Sequence, residues 1–268
     1  MKDNFFGFIG SGNMGGALAT AVSKKYSGSS LLISDTDDKK AQNLAEKISA
    51  TAQNNTYIAE NCKFIFLAVK PQIMEKVLGS IKDELKNRTD RFVLVTMAAG
   101  LSTDKIAEFA GGDYPIIRIM PNTPVFVGEG MILYTATKNV TESEIGEFLE
   151  ALEYAGALDR IDEKLIDAAG SLSGCGPAFV YLFAEGLADG AVECGVPRDK
   201  ALKYASQTLL GAAKMLIETN EHPGKLKDAV CSPGGTTIAG VHALENGAFR
   251  STAMDAVKSA YNRTLELK

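Results

Sequence analysis

The amino-acid sequence predicts an α/β protein in which a doubly wound, mostly parallel sheet precedes an all-helical region. From Phe5 to about Ile161, short apolar runs alternate with helical patterns, which favours parallel strands joined by crossover helices. The first apolar run enters a glycine-rich turn that opens a helix. After about Asp162, helical patterns continue without a convincing strand. We therefore expect two domains, residues 1–161 and residues 162–268.

The glycine-rich turn is Gly10-Ser11-Gly12-Asn13-Met14-Gly15, and it follows the apolar run Phe5–Ile9 directly. In such a turn the first glycine permits the tight bend, the second lets the backbone approach a pyrophosphate, and the third lets helix and strand pack closely. The helix N-terminus offers free N–H groups to the phosphates. An acidic residue is expected about 20 residues further on, and Asp35 ends the run Leu31–Ser34. Together these features predict dinucleotide binding.

Alternating elements follow through the rest of the first region. A helix is expected at about 37–48, and the unbroken apolar run Phe64–Val69 is typical of a strand buried on both faces. Apolar residues spaced by four over 73–85 predict one amphipathic helix. Thr141 and Glu144 predict a capping box, in which each side chain satisfies a free backbone N–H at a helix start. Further strands are expected at 92–97, 116–120, 131–134 and 157–161.

The second region has helical patterns at 177–194, 197–219, 236–246 and 248–265. The spacing of Gly186 and Gly190 lets helix backbones approach closely, while Glu185 and Asp189 argue against contact with lipid. We expect this region to pack on itself or on another subunit, with a monomeric helical lid as the alternative.

One loop of the helical region differs in composition from its surroundings: Ser232-Pro233-Gly234-Gly235-Thr236-Thr237. Two threonines after flexible glycines present several N–H groups and a hydroxyl to a carboxylate at a helix N-terminus. An ordinary helix cap with threonine as the N-cap residue fits the same residues equally well. The residues by themselves leave both interpretations open.

Composition and charge limit the expected partners and compartment. With 28 basic and 33 acidic residues the formal net charge is −5, and no basic block occurs, so nucleic acid and anionic membranes are not expected partners. No apolar run approaches the roughly 18 residues of a membrane span. Lys2 and the small-residue run to Ala21 resemble a secretory signal peptide, but Asp3 and the many glycines argue against one. We therefore expect a cytoplasmic protein.

The sequence does not predict a metal site. Its four cysteines lie far apart without a C-x-x-C pair, and it has two histidines. Cys175 is expected to be a small buried residue rather than a nucleophile, since no base is visible near it in the sequence. His222 and His242 are expected to be structural or exposed.

Several motifs, in order along the chain, resemble those of pyrroline-5-carboxylate reductases. They span residues 8 to 245, and the Ser-Pro-Gly-Gly-x-Thr loop is the most specific of them. The matching segments are Phe8–Gly15, Ala68-Val69-Lys70-Pro71-Gln72, Arg118–Pro124, Ser173-Gly174-Cys175-Gly176-Pro177-Ala178, Ser232–Ile238 and Leu244-Glu245.

The resemblance implies a Rossmann-like domain followed by an all-α dimerisation domain. It implies an oxidoreductase that reduces 1-pyrroline-5-carboxylate to L-proline by hydride transfer from NADPH or NADH, the last step of proline biosynthesis. The implied assembly is a homodimer, or a higher oligomer such as a decamer. In this family the active site is completed across the dimer, so the Ser232–Thr237 loop is expected to serve the partner subunit's cofactor.

The resemblance and the glycine-rich turn together predict the site residues. The resemblance implies that Thr237 is the catalytic residue and hydrogen-bonds the ring nitrogen of the substrate. The substrate is expected to be held by Ser232, Gly234, Gly235, Thr236 and Thr237. The expected cofactor contacts are Gly10, Ser11, Gly12, Asn13, Met14, Gly15, Asp35, Asn55, Ala68, Val69, Lys70, Pro71, Met120, Pro121 and Asn122.

The cofactor preference stays open in the sequence. Asp35 favours NADH, because a carboxylate accepts a hydrogen bond from the ribose 2′-hydroxyl and repels a 2′-phosphate. The resemblance favours NADPH. Lys39 and Lys40 are near enough in sequence to help a phosphate, whereas Asp37 and Asp38 offset them.

Three other functions are compatible with parts of the pattern. β-Hydroxyacid dehydrogenases share the opening motif, but they use a lysine on the first interdomain helix, and Gly170–Pro177 contains none. A non-catalytic nucleotide-sensing dimer needs no imine-acid loop, so the intact Ser232–Thr237 loop argues against it. Reductases of other cyclic imines would share the loop.

Overall fold

The computed structural model describes residues 5–266, which form two compact units. The first unit contains the chain up to Cys175 and again from Tyr261 onwards, and the second is Gly176–Ala260. The first unit holds the sheet, whereas the second is entirely helical. Lys2 and Asp3, which bear on the signal-peptide alternative, lie outside the described residues.

The first unit is built on one eight-stranded sheet with the order β3-β2-β1-β4-β5-β6-β7-β8. Neighbouring strands are parallel except for β6 and β7, which are antiparallel. This confirms the predicted doubly wound, mostly parallel sheet. The strands are β1 (Phe6–Ile9), β2 (Leu31–Ser34), β3 (Thr51–Ala52), β4 (Phe64–Leu67), β5 (Val93–Thr96), β6 (Ile116–Met120), β7 (Gly130–Ala136) and β8 (Gly156–Arg160).

Thirteen α-helices lie within the described chain, and most follow the predicted patterns. Those of the first unit are α1 (Asn13–Ser23), α2 (Asp38–Lys47), α3 (Asn55–Asn61), α4 (Pro71–Gly79), α5 (Lys82–Asn87), α6 (Thr103–Ala110), α7 (Glu142–Ala151) and α8 (Glu163–Ser173). The others are α9 (Gly176–Glu193), α10 (Arg198–Thr219), α11 (Pro223–Val230), α12 (Thr236–Asn246) and α13 (Phe249–Glu266).

The prediction of a single helix over 73–85 was wrong, because the chain forms α4 and α5 there. The break falls at Gly79 and Ser80, and Ile81 leaves helical geometry with φ −122° and ψ 7°. Glycine weakens a helix, which favours a break at this point. Ile81 and Leu85 remain fully buried on either side of the new helix start. Their burial explains why the apolar period continues across two helices.

The sheet is buried on both faces because its strands alternate between two apolar clusters. In β4, Phe64 and Phe66 join the cluster under α1, α2 and α7, whereas Ile65 and Leu67 join the cluster under α3 to α6. This is the two-residue alternation of a strand with both faces covered. Phe66 stacks on Phe8 of the neighbouring strand, with ring centroids 4.4 Å apart. The core therefore holds the glycine-rich end of β1 against β4.

A buried ion-pair network joins α8 to the sheet. Arg118 of β6 is almost fully buried and donates to Asp167 of α8 at 2.5 Å. Glu163, at the start of α8, lies 3.5 Å from the same guanidinium and accepts from the N–H and hydroxyl of Thr103 at 2.7 and 2.8 Å. These contacts place α8 in the first unit. The sequence analysis places the domain boundary after residue 161, and this boundary stays a prediction.

The second unit encloses little apolar volume by itself. Its buried cluster consists of Ala188, Ala201 and Ala205, where α9 packs on α10. Many large apolar side chains of this unit are exposed, including Leu182, Ile217 and Met254. By length and composition alone, the helical stretch Glu163–Glu193 could cross a membrane, with a mean hydropathy of 1.2. Core helices of soluble proteins pass the same test, so this observation is weak.

The capping box at the start of α7 yields a prediction about pH and stability. Glu144 accepts from the N–H and hydroxyl of Thr141 at 2.8 and 2.9 Å and from Arg91 at 2.6 Å. Burial by itself raises the pKa of Glu144, but the Arg91 and Thr141 hydrogen bonds outweigh it, and the pKa lies below its usual value. We expect Glu144→Gln to lower the free energy of unfolding at pH 7 by about 1–3 kcal/mol.

The direction in which this stability difference changes with pH follows from the lowered pKa of Glu144. Its stabilising contribution is complete above the unfolded-state pKa of about 4.3 and is lost as the pH falls through the lower folded-state pKa. The stability gap between wild type and Glu144→Gln should therefore shrink below about pH 4, as urea unfolding at several pH values would measure. Glu142→Gln, at an exposed neighbour, is the control. A gap that stays constant to pH 3 would contradict the assignment.

Candidate active site

The turn between β1 and α1 is possible only without side chains at two positions. Gly10 has φ +106°, and a Cβ there would lie 2.4 Å from the carbonyl oxygen of Ala68. A Cβ on Gly15 would lie 2.2 Å from the carbonyl oxygen of Gly10 and 2.7 Å from the Ala68 Cβ. The first and third glycines therefore let the turn and α1 lie directly against the end of β4. The positive φ of Gly10 fits the tight turn predicted for the first glycine, and the contacts of Gly15 fit the close helix–strand packing predicted for the third.

Gly12 differs from these two glycines because the space beside it is open. A Cβ on Gly12 would meet nothing within 4 Å. Gly12 is the N-cap residue of α1 and provides no side-chain hydrogen bond to the helix start. Among the described residues, no partner is found for the first N–H groups of α1, at Asn13 and Met14. The open space and free N–H groups suit a phosphate, as the motif predicts.

Asp35 lies beside this turn and is held in place by it. Its Oδ2 accepts from the Ser11 N–H at 2.8 Å and the Ser11 hydroxyl at 3.0 Å, and its Oδ1 accepts from the Asp37 N–H at 3.0 Å. Partial burial by itself raises the pKa of Asp35, but these hydrogen bonds outweigh it, so the pKa lies below its usual value. The carboxylate is therefore ionised at neutral pH.

A cavity of about 460 Å³ opens next to Asp35 at the carboxyl end of β2. Its wall contains Ser34, Asp35, Asp38 and Asn55. The Ser34 hydroxyl donates to the Asn55 side-chain oxygen at 2.6 Å. Asn55 is the first residue of α3, a helix that the sequence analysis missed. The cavity follows the strand end where nucleotides bind in such sheets.

The other expected cofactor residues follow β4 and β6. Ala68 donates its N–H to Ile9 at 2.8 Å, which fixes the β4 end against β1. Val69 follows it, Lys70 is the exposed N-cap residue of α4, and Pro71 is the first residue of that helix. Lys70 has no ion-pair partner among the described residues. The structure therefore leaves its ammonium group available at the strand end.

Asn122 is committed to contacts within the protein. Its side-chain oxygen accepts from the Met131 N–H at 2.8 Å, and its amide nitrogen donates to the Ser173 carbonyl at 2.9 Å. Met120, two residues earlier, packs against Gly170 of α8, where a Cβ would lie 2.9 Å from the Met120 Cγ. Met120, Pro121 and Asn122 thus form a wall braced by α8. Because both ends of its amide are already bonded within the protein, the Asn122 side chain would support cofactor binding by holding this wall in place.

The predicted substrate loop lies in the second unit and ends at the start of α12. Gly234 has φ +68°, and the Gly235 N–H donates to the Ser232 carbonyl at 3.0 Å. Gly235 is the N-cap residue of α12 and gives no side-chain cap, so threonine does not act as the cap. Within residues 5–266, neither the Thr236 nor the Thr237 hydroxyl has a hydrogen-bond partner. The loop therefore presents free N–H groups and hydroxyls.

The expectations for histidine are confirmed, and the expectation for Cys175 is wrong. His222 is the N-cap residue of α11 and accepts from the Gly224 N–H at 3.1 Å, and His242 lies exposed in α12. Cys175 is exposed, because it lies at the bend after α8 rather than under a helix. Among the described residues, no group of three or more potential ligand side chains is positioned to hold a metal ion.

Sequence reasoning named Asn55 but missed the elements β3 and α3 and the other residues that they contribute to the cavity wall. Gln53, Asn54 and Asn55 line the cavity, and Asn54 caps α3 by accepting from the Tyr57 N–H at 2.8 Å. A strand of two residues and a helix of seven are too short for a hydrophobic period. The Asn54 cap followed by Ile58 and Ala59, both buried, is the signal that would have found the helix.

The two kinds of glycine in the turn predict opposite mutant behaviour. Gly12→Ala should change the free energy of unfolding by less than about 1 kcal/mol, since its Cβ meets nothing in the protein. It should weaken dinucleotide binding at least about tenfold, because the methyl group occupies the phosphate's place. Gly10→Ala should destabilise the fold by more than about 2 kcal/mol, because its Cβ would overlap the Ala68 carbonyl.

Thermal unfolding and titration calorimetry with the dinucleotide would separate these effects. Gly146→Ala, at another glycine whose Cβ would meet nothing within 4 Å, is the control for open space away from the turn. Unchanged dinucleotide affinity in Gly12→Ala would contradict the role assigned to the turn.

Comparison with known protein families finds a match for each region of the chain. A family model described as "Pyrroline-5-carboxylate reductase dimerisation" matches residues 163–267. A second, described as "NADP oxidoreductase coenzyme F420-dependent", matches residues 6–100. The first match contains the Ser232–Thr237 loop, and the second contains the glycine-rich turn and Asp35.

Full-length relatives carry the same family name. The pyrroline-5-carboxylate reductase of Pisum sativum is 41% identical, covering 100% of this chain and 97% of that protein. That of Escherichia coli is 39% identical, covering 97% of each. Two solved reductases are similar: one from Plasmodium falciparum with NADP bound (33% identity, TM-score 0.87, 98% of each chain) and one from Coxiella burnetii (30%, 0.91, 99% of each chain). The chain therefore belongs to the pyrroline-5-carboxylate reductase family.

Proposed function

We propose that this protein reduces 1-pyrroline-5-carboxylate to L-proline with NADPH or NADH, the last step of proline biosynthesis. Full-length relatives that bear this enzyme name support the proposal. The observation in the structure that carries it is the start of α12, where free N–H groups and the Thr237 hydroxyl face outward without an internal partner. A cyclic imine acid needs N–H groups to bind its carboxylate and a hydroxyl to hydrogen-bond its ring nitrogen.

The first unit provides the groups that would hold the cofactor. The N–H groups after Gly12 suit the pyrophosphate, and the cavity beside Asp35 suits the adenosine. When bound, the reduced nicotinamide supplies the hydride. The wall made by Met120, Pro121 and Asn122, braced by α8, lies at the carboxyl end of β6 and is proposed to bound the nicotinamide end of the site.

The α12 start is proposed to orient the substrate at two points. The free N–H groups that follow Gly235, beginning with that of Thr236, hold the carboxylate, favoured by the positive end of the helix dipole. The Thr237 hydroxyl oxygen accepts a hydrogen bond from the protonated ring nitrogen and leaves the C=N carbon exposed for reduction. Fixing the reacting atoms in this way lowers the barrier by up to about 7–11 kcal/mol. A protonated imine is already electrophilic, so the site needs no strong protein acid.

The assembly and location are proposed from the exposed surface of the second unit and from the net charge. The exposed apolar surface of the second unit and the dimerisation model matched there support a homodimer, in which the Ser232–Thr237 loop of one subunit serves the cofactor of its partner. Five such dimers would form the decamer that the resemblance implies as the higher assembly. The net charge of −5 supports a cytoplasmic enzyme that binds neither nucleic acid nor anionic membranes.

Three alternative functions make different demands on the chain. A β-hydroxyacid dehydrogenase needs a lysine at the start of the interdomain helix, and Gly170–Pro177 has none. A nucleotide-sensing dimer would bind cofactor without turnover and would have no use for the free Thr237 hydroxyl. A reductase of another cyclic imine acid would share the loop, and trials of several ring sizes as substrates would distinguish it.

The paired threonines allow a controlled test of catalysis. Thr237→Val keeps the shape and the backbone N–H but removes the hydroxyl, so kcat/KM for 1-pyrroline-5-carboxylate should fall about 10²–10³-fold. Thr236→Val removes a hydroxyl for which no role is proposed and should change kcat/KM less than about threefold. NAD(P)H oxidation measured by absorbance, with cofactor affinity measured separately, checks both. Equal losses in the two variants would contradict the role of Thr237.

The dimer has its own test. Multi-angle light scattering should give a mass of at least twice the chain mass of 28.5 kDa. Leu182→Glu places a charge on a side chain that is 71% exposed in the single chain, and it should shift the protein toward monomer with loss of activity. Asn87→Glu, on α5 of the first unit, should leave the mass unchanged. A monomeric wild-type protein with full activity would contradict the proposal.

A further inference from the structure

We propose that this enzyme prefers NADH to NADPH, because the cavity that receives the adenosine carries two carboxylates, Asp35 and Asp38, and no basic side chain. The inference rests on the proposed function and extends it to the choice of cofactor. It goes beyond the sequence, in which the two lysines and the aspartates after β2 balance each other.

The position of Asp35 is fixed before any ligand binds. Three hydrogen-bond donors hold it: the Ser11 N–H and hydroxyl on Oδ2 and the Asp37 N–H on Oδ1. The Ser11 contact ties the carboxylate to the glycine-rich turn itself, where the pyrophosphate is expected. A side chain held on both oxygens cannot swing away to admit a phosphate without breaking these bonds. Ser11 is therefore a positioning residue for Asp35.

The Asp35 carboxylate can still accept one more hydrogen bond from an uncharged donor. Two oxygens offer about four acceptor sites, and the three donors above occupy three of them. The fourth contact is the Thr36 hydroxyl at 3.4 Å, which is long enough to be displaced easily. A ribose 2′-hydroxyl can donate there. A 2′-phosphate has no hydrogen to donate when fully ionised and brings like charge against Asp35.

The lysines that could offset this repulsion lie elsewhere. The described residues lining the cavity beside Asp35 include Ser34, Asp38, Gln53 and Asn55 but neither lysine nor arginine. Lys40 lines a second cavity of about 330 Å³, which it shares with Lys24, Lys47 and the turn residues Ser11, Gly12 and Asn13. Its ammonium group therefore lies on the pyrophosphate side of the turn and not in the cavity beside Asp35. Lys39 lines neither cavity.

The geometry of α2 explains why its acidic and basic side chains line different cavities. Asp37 caps α2, accepting from the Lys39 N–H at 3.1 Å, so the helix starts at Asp38. Residues two apart on a helix point in different directions. Asp38 therefore faces the adenosine cavity while Lys40 faces the one beside α1. The positive charge of Lys40 is near enough to contribute to the lowered pKa of Asp35, and it therefore favours the ionised carboxylate.

The test uses nucleotide fragments that need neither turnover nor the second unit's loop. Titration calorimetry on the full-length protein would compare 5′-AMP with 2′,5′-ADP, which differ in the 2′-phosphate. We expect 5′-AMP to bind at least about tenfold more tightly, and kcat/KM to favour NADH by a similar factor. Equal or tighter binding of 2′,5′-ADP would overturn the inference, and so would failure of 5′-AMP to bind at all.

Variants assign the effect to its residues. Asp35→Asn should reduce the 5′-AMP preference about tenfold, and Asp38→Asn, at an exposed position, should reduce it by a smaller factor. Asp83→Asn removes the same charge from α5, the helix that leads into β5, and should leave the ratio unchanged, because Asp83 does not line the cavity beside Asp35. A ratio that is unaffected in both Asp35→Asn and Asp38→Asn, with thermal unfolding unchanged, would overturn the inference.

Failure of the proposed function would be recognised separately. If neither NADH nor NADPH supports reduction of 1-pyrroline-5-carboxylate, the proposed reaction fails. The fragment-binding ratio still decides the cofactor preference in that case. If both cofactors support turnover at equal kcat/KM and the fragments bind equally, the reaction stands and the preference is refuted.

Discussion

The close contact between the glycine-rich turn and the end of β4 is the constraint on which the first unit depends. Gly10 and Gly15 leave no room for a Cβ against Ala68 and against each other. Only this approach brings the start of α1 over the strand ends and places Ser11 within hydrogen-bonding distance of Asp35. The phosphate cradle and the adenosine cavity are therefore consequences of one packing contact.

One helix in each unit begins with the same local geometry. Both α1 and α12 begin after a glycine N-cap residue with extended backbone, Gly12 and Gly235, and neither glycine supplies a side chain to the helix start. A serine or aspartate at these positions would satisfy the first N–H groups internally, as Asp37 does for α2. Glycine leaves those groups for a ligand. In the proposed enzyme, one site receives the cofactor's phosphates and the other the substrate's carboxylate.

The units differ in how they are stabilised. In the first, the sheet is covered on both faces, and a deeply buried charge pair is held in a network, with Arg118 donating to Asp167 and lying near Glu163. Breaking a buried pair from one side is costly, so this network holds α8 firmly against the sheet. The second unit buries three alanines and exposes many larger apolar residues. A helical unit of this kind needs further apolar burial, which the proposed dimer provides.

Local patterns in the sequence were enough for most of the fold and for the position of the candidate site. The strand–turn–helix opening, Asp35, the Thr141–Glu144 capping box and the helical second region all depend on neighbours along the chain, and each is present as predicted. The break between α4 and α5, the short α3 and the exposure of Cys175 escaped prediction.

What the tertiary structure alone decided is where side chains point and which distant groups they meet. It directed the Asn122 amide to Met131 and Ser173, joined Arg118 to Asp167, and turned Asp38 toward one cavity and Lys40 toward another. The sequence by itself determined the fold class, the turn and the loop, because hydrophobic period and glycine chemistry act locally. It left these contacts open, because they join residues that only the packing of the sheet and its helices brings together.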